Sequence, residues 1–413
     1  MPRTLLALFI TVIAAGVAQA GDWPEFRGPT ADGHYSGKEL PTKWDAKTNI
    51  AWKQPIPGLG WSSPAVVNGK VYLTTATPGD VAKPEQSLRA ICLDAKTGMP
   101  VWDKEVFHQP ATSPRIQNKN SHASASPLVR DGKLYAHFGH QGTACLDLSG
   151  KILWTNRELK YAPVHGNGGS PELVDGVLVV SCDGGSGPFV AGLDAETGTV
   201  KWKKERTWES AKTFAFCTPT VIEANGAKQV VVPGAGGVAA YDPKTGDELW
   251  KVTYSGYSVV PRPVAGHGLV FVSTSYDAAS LLAIRTGGKG DVTDTNIAWT
   301  LKQGAPHNPS PLLVGDELYL VSDRGIVSCL DAKTGKVHWQ ERLQSNFSAS
   351  PLFGSGNIYF LDERGTTTVV KAAKTFKLVS KNVLGGVTLA SLAAADGAIY
   401  LRNDTHLYKI ESR

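Results

Sequence analysis

Histidine, arginine and aspartate side chains recur in short polar loops of this chain: His122, His140, His165 and His307; Arg262, Arg324 and Arg364; Asp183, Asp277 and Asp323. Trp61, Tyr276 and Asn308 stand in loops of the same kind. Imidazole nitrogens suit zinc or copper. A guanidinium fork grips a carboxylate of a ligand through two parallel bonds. Asp183, in the run Asp183-Gly184-Gly185, has the chemistry of a general acid or base. Trp61, in Gly58-Leu59-Gly60-Trp61, offers a face on which a sugar or quinone ring stacks. Each type also has a plain structural use. The histidines show no compact ligand spacing, so no metal site is expected. The arginines can pair with Asp277, Asp323 or Asp362, and Trp61 can anchor a core. Asp183 stands alone in its loop. No Ser-His-Asp arrangement, phosphate loop or Cys-x-x-Cys pair is present. No residue is therefore assigned a catalytic role.

These loops are positioned by a phrase that keeps returning. Asp94 and Gly98 lead to Trp102, Asp147 and Gly150 to Trp154, Asp194 and Gly198 to Trp202, Asp242 and Gly246 to Trp250, and Asp331 and Gly335 to Trp339. A period of roughly 40–50 residues is that of a four-stranded propeller blade. The Asp closes a turn by accepting backbone N–H groups. The Gly takes a positive φ without steric cost. The Trp buries its ring between blades, and its indole N–H needs an acceptor there. Cys92, Cys145 and Cys329 occupy one register two residues before the Asp, where Gly192 and Ala240 stand in other repeats. That slot demands a small side chain. With Cys182 and Cys217 they read as free, mostly buried thiols rather than a disulfide framework.

First strands open at Ser63-Pro64, Ser126-Pro127, Ser170-Pro171, Thr218-Pro219, Arg262-Pro263, Ser310-Pro311 and Ser350-Pro351, with an eighth near Ser391. Proline lacks the N–H that a paired strand would use, so it fits an edge facing a central channel. The last unit has no Trp strand. Asn49 to Lys53, containing Trp52, looks like a Trp strand with no blade before it. We therefore expect an all-β, eight-bladed propeller of four-stranded antiparallel blades, closed by this N-terminal strand; seven blades is the other count. Closure removes exposed sheet edges. Two repeats are degenerate. In the fifth, Arg285 replaces the Asp and residues 287–295 are inserted; these are read as drift or as a docking loop. In the seventh, Lys371 takes the Asp place and Leu378 or Val379 the Trp place. Loops between blades, and loops joining second and third strands, should gather the polar candidates around one mouth of the channel.

The Asp-x-x-Thr-Gly-x-x-x-Trp phrase resembles the repeat of pyrroloquinoline-quinone (PQQ) propellers over residues 49–410. That superfamily includes quinoprotein alcohol dehydrogenases and the non-enzymatic outer-membrane assembly lipoprotein BamB. The resemblance implies the fold and leaves two functions open. Quinoprotein dehydrogenases carry an adjacent Cys-Cys ring, calcium ligands and an Asp base, none of which can be matched to a motif here. BamB proteins are lipid-anchored through a Cys, and no Cys stands near the start of this chain.

Arg3, the apolar run from Leu5 to Val17 and Ala18-Gln19-Ala20 read as a signal peptide over residues 1–20, cleaved after Ala20. An uncleaved anchor is the other reading. Residues 21–47 form an extended segment, with Trp23 and Phe26 buried on the propeller or presented to a partner, and 48–413 form the propeller. The formal net charge is +5, falling to +4 without Arg3, with no block of like charge. Nucleic acid is not expected as a partner, nor is a transmembrane span. The sequence thus predicts a periplasmic or secreted monomer without cofactor. It would bind an envelope protein or glycan at the channel mouth through the thirteen loop residues named first. The alternatives are a PQQ- and calcium-dependent oxidoreductase and a glycan-acting enzyme.

Overall fold

The computed structural model describes residues 21–277 and 279–412. The signal peptide read over residues 1–20, with its cleavage site, lies outside the described residues. Eight antiparallel sheets follow one another along the chain. Blades 1 to 7 span residues 65–109, 128–156, 172–205, 220–253, 264–301, 312–342 and 352–383. Blade 8 combines strands at 393–395, 398–402 and 406–411 with Ile50–Pro55. Trp52 pairs with Lys409 there, so the N-terminal strand closes the ring. Among the described residues no helix is long and apolar enough to cross a membrane.

The repeat residues interlock neighbouring blades. The indole N–H of Trp52 donates to the Ala95 carbonyl of blade 1 at 3.1 Å. Trp102 donates to Leu148 at 3.0 Å, Trp154 to Ala195 at 3.1 Å and Trp202 to Pro243 at 3.0 Å, each on the next blade. Trp299 donates to Ala332 at 3.0 Å and Trp339 to Ala373 at 2.9 Å. The repeat Gly does more than allow a turn. A Cβ on Gly98, Gly150, Gly198, Gly246 or Gly335 would lie 2.4–2.9 Å from the indole of the preceding blade. The repeat Asp caps its turn: the Asp94 carboxylate accepts the N–H groups of Lys96 and Thr97. Within a blade, Trp102 pairs across from Cys92, Trp202 from Gly192 and Trp339 from Cys329. The small slot is therefore cut by the blade's own indole. All five cysteines are buried and free.

Two places depart from the pattern. Trp250 donates to Gln229 of its own blade at 2.9 Å, facing the degenerate turn of blade 5 in which Arg285 takes the Asp place. The inserted residues fold back onto blade 4, where Gly290–Asp291 lie parallel to Trp250 and Lys251. In blade 7 the register puts Ser380, not Leu378 or Val379, across from Val369 at the Trp place. The expectation from sequence is one or two residues early because the turn is one residue longer: the Lys371 N–H donates to Lys377, whereas the Asp331 N–H donates to Lys336. The missing indole comes from elsewhere. Trp44 stacks on Tyr359 of blade 7 with ring centroids 6.4 Å apart, where other blades set their own Trp against an aromatic of the second strand, as Trp102 does on Tyr72 at 6.1 Å.

Trp44 belongs to an arm that runs beneath the ring. Trp23 is buried and pairs with Val66 of blade 1. Pro24 accepts from the Val129 N–H of blade 2 at 2.8 Å. His34 and Tyr35 add a short parallel strand to blade 7. Between these points Glu25 and Arg27 enter the channel, where both are buried.

Candidate functional site

The inner strands of the blades begin with a circle of hydroxyls. The Ser63 N–H donates to Ser126 Oγ at 2.9 Å, Ser126 to Ser170 Oγ at 2.9 Å and Ser170 to Thr218 Oγ1 at 3.0 Å. Arg262 donates to Ser310 Oγ at 2.9 Å, Ser310 to Ser350 Oγ at 3.0 Å, Ser350 to Ser391 Oγ at 2.8 Å and Ser391 back to Ser63 Oγ at 3.1 Å. Only the step from Thr218 to Arg262 is broken, because Arg262 has no hydroxyl to offer. The Ser-Pro openings follow from this geometry. The Ser accepts its neighbour's N–H, and the Pro behind it has no donor to leave unpaired.

Above the collar lies a cavity of about 710 Å³, lined by all seven hydroxyls and by residues of the loops between blades. Its wall is a run of rings. His165 meets Phe214 at 5.3 Å, Phe214 meets Tyr257 at 5.5 Å, Tyr257 meets Tyr276 at 6.2 Å, and Tyr276 meets His307 at 5.0 Å. Trp61, Gln117, Asn120 and Asn308 complete much of the lining. Two ammonium groups mark the rim. Lys119 pairs with Glu363 of blade 7 at 2.6 Å, so the loop between blades 1 and 2 reaches across to blade 7. Lys212 sits 3.7 Å from the centre of the Tyr257 ring. Its contact with Tyr257 raises its pKa above the ordinary lysine value. No carboxylate lines the cavity.

The floor is Phe26 of the arm. Beneath it Arg262 is fully buried and binds Glu172, the Phe26 carbonyl at 2.7 Å and Glu25 at 3.4 Å. Glu25 also pairs with Arg130 at 2.7 Å. Burial and the neighbouring Glu25 carboxylate push Glu172 well above the usual carboxylate range. The channel is thus a blind well, open only at the mouth.

The structure brings Trp61, His165, Tyr276 and Asn308 into the well, with His307 stacked behind Tyr276. Asp277 accepts from the Tyr257 hydroxyl at 2.9 Å and lines a smaller cavity of about 270 Å³ behind the aromatic wall. Asp323 is a scaffold for the next loop: it accepts from the His307 N–H at 2.6 Å and from Asn308. Burial would raise its pKa, but these bonds outweigh it and hold the carboxyl below the usual range. Arg324 and Arg364 are exposed outside the lining. Two placements correct the reading from sequence. Arg262 sits beneath the floor, not at the mouth, because its guanidinium turns inward to the glutamates. Asp183 is buried, not exposed, and held by Arg206 at 3.0 and 2.6 Å. Phe214, Phe216, Tyr257, Lys119 and Lys212 were missed as site residues. The signal that could have found them is their place in the loops between blades.

His122 and His140 lie off the well, near His137 between blades 1 and 2. Burial, with a smaller contribution from His140, pushes the fully buried His137 down to about 4. An unfolded histidine binds its proton first, so this group adds stability above its ordinary pKa that is lost as pH falls from about 6.5 to about 4. A shift of that size corresponds to about 3 kcal/mol. His137→Gln should therefore flatten the fall in Tm between pH 7 and pH 4.5, measured by calorimetry. An unchanged slope would refute the assignment.

The fold and the well together define a closed, tryptophan-interlocked PQQ-like propeller with one blind, ring-walled cavity at its mouth. The chain belongs to the family described as outer membrane protein assembly factor BamB, whose model matches residues 34–156, 119–341 and 291–413. It is 26% identical over 287 residues to BamB of Shewanella oneidensis, covering 64% of this chain and 68% of that protein. It is 32% identical over 166 residues to methanol dehydrogenase subunit 1 of Methylorubrum extorquens, covering 33% of this chain and only 24% of that enzyme. The BamB structure from Moraxella catarrhalis superposes with a TM-score of 0.62 at 13% identity, covering 88% of this chain and 97% of that one.

Proposed function

We propose that this chain is an exported, non-catalytic propeller that binds an envelope partner or ligand in the well. The observation that carries this reading is the lining itself: rings, hydroxyls and amides converge on a cavity of ligand size, and none of its lining residues is a carboxylate. The BamB relatives support a scaffold role in the envelope. The dehydrogenase relatives bring PQQ and calcium into consideration, but the lining offers calcium no carboxylate. Calcium takes six to eight oxygen ligands, carboxylates among them. Among the described residues no group of three His, Cys, Asp or Glu side chains is arranged to hold a metal.

The test is a photocrosslinker placed at the rim in intact cells. Lys212→benzoylphenylalanine should give a discrete adduct, while Val337→benzoylphenylalanine on an outer strand should give none. Equal labelling at both sites would overturn the reading. Titration with PQQ and calcium should leave tryptophan fluorescence without saturable quenching. Saturable quenching weakened by Trp61→Ala would move the function to redox chemistry.

A further inference from the structure

We infer that the well receives the neutral, hydroxyl-rich end of a glycan chain. This rests on the binding reading above and narrows it to a ligand class.

The collar sets the first requirement. Ser63, Ser126, Ser170, Thr218, Ser310, Ser350 and Ser391 each accept one backbone N–H through the hydroxyl oxygen. A hydroxyl has one donor and two acceptor sites. Each therefore keeps a proton and a lone pair, and each lines the cavity. A ligand seated there must both give and accept hydrogen bonds. An apolar ligand would strand these groups away from water.

Charge sets the second. The charged side chains of the lining are the two rim lysines. Lys119 is already paired with Glu363 at 2.6 Å. Lys212 lies on the Tyr257 ring, and the Tyr257 hydroxyl is bonded to Asp277. No arginine or carboxylate lines the depth of the well. An ionic group lowered to the collar would lose its water without meeting a counter-ion.

Shape sets the third. Phe214, Tyr257 and Tyr276 form one continuous wall with successive centroids 5.5 and 6.2 Å apart. Such faces suit the C–H faces of sugar rings, while Gln117 and the collar hydroxyls supply polar groups to the same cavity. Phe26 closes the floor, so a polymer can enter only by its end. A neutral sugar terminus meets all three conditions, and a carboxylate, an apolar molecule or a threaded strand each fails one.

The experiment uses the mature protein and calorimetric titration with cellobiose, lactose, diacetylchitobiose and the tetramers of the first and third, with glucuronate and an apolar naphthalene dye as controls. At least one neutral disaccharide should saturate below about 10 mM, its tetramer should bind no more weakly, and glucuronate should bind at least tenfold more weakly. Tyr276→Ala, at a side chain 46% exposed, and Ser310→Ala should each weaken binding at least fivefold, with Tm checked on both. Ser310→Ala also removes the acceptor of the Arg262 N–H, so the Tyr276 variant decides if the Ser310 variant is unstable. Failure of every neutral sugar to saturate, tighter binding of glucuronate or dye, or exclusion of the tetramer would each overturn the inference. The rim crosslink separates this from the parent reading: an adduct at Lys212→benzoylphenylalanine without sugar binding would leave the binding role standing and remove the glycan.

Discussion

Arg262→Leu is expected to lose about 3–5 kcal/mol of stability, because removing one partner of a buried ion pair leaves uncompensated charge behind. Arg262 has no exposed surface and stands between Glu172 and Glu25. It also holds the Phe26 carbonyl at 2.7 Å, which fixes the floor of the well. The variant should therefore do two things at once: lower Tm, and open the arm to trypsin at Arg27, which is buried in the intact protein. Glu172 gives the effect a pH dependence. Burial and Glu25 already raise its pKa above the ordinary 4.5. A carboxyl with a raised folded pKa adds stability that is present below its unfolded value and lost as pH rises through the folded one. Without Arg262 that loss should steepen above about pH 4.5. Calorimetry across pH with limited trypsin digestion reads both effects. Wild-type Tm with a protected arm would show that the network does not hold the floor.

Trp202→Ala should cost about 3–5 kcal/mol, the usual range for emptying a large aromatic site. Its indole is buried, donates to Pro243 at 3.0 Å and lies between Gly192 of its own blade and Gly246 of the next. The sharper test is a pair. Gly246→Ala places a Cβ 2.5 Å from the Trp202 ring and keeps a φ of +73°. Alone it should suffer both the collision and the left-handed strain. In the Trp202→Ala background only the strain should remain, about 1–2 kcal/mol. The two changes should thus be less than additive by about 1–3 kcal/mol in urea unfolding. Strict additivity would mean that the Gly is kept for its turn alone.

The architecture was legible in the sequence because each blade repeats the same demands. An Asp for a turn, a Gly beneath an indole and a Trp across from a small residue leave a periodic trace, and Trp52 carried that trace to the ring closure. The count was clear for the same reason. What repetition cannot reveal is what stands in for a lost member. Nothing local marks Trp44 as the ring that covers Tyr359, because the contact joins residues far apart in the chain. The site was half legible for a related reason. Loop membership pointed to Trp61, His165, Tyr276 and Asn308, and all four line the well. It could not say which way a side chain turns. Asp183 faces inward because Arg206 waits there, and Arg262 because Glu172 and Glu25 do. Polar residues drew attention as chemistry, whereas much of the wall is Phe214 and Tyr257.

Residues 50–55 find their partners only at 406–411, and that separation governs how the molecule is made. The strand that holds Trp52 completes its blade only when residues 406–411 are in place. During synthesis the first blade-forming segment therefore waits with an unpaired edge while all the others assemble. Contacts this distant form slowly, and an open edge invites other strands. Ring closure is for this reason the step at which the chain is most exposed to mispairing and most in need of protection. The arm that floors the well meets its partners sooner, since Trp23 pairs with Val66 of blade 1 and Pro24 with Val129 of blade 2.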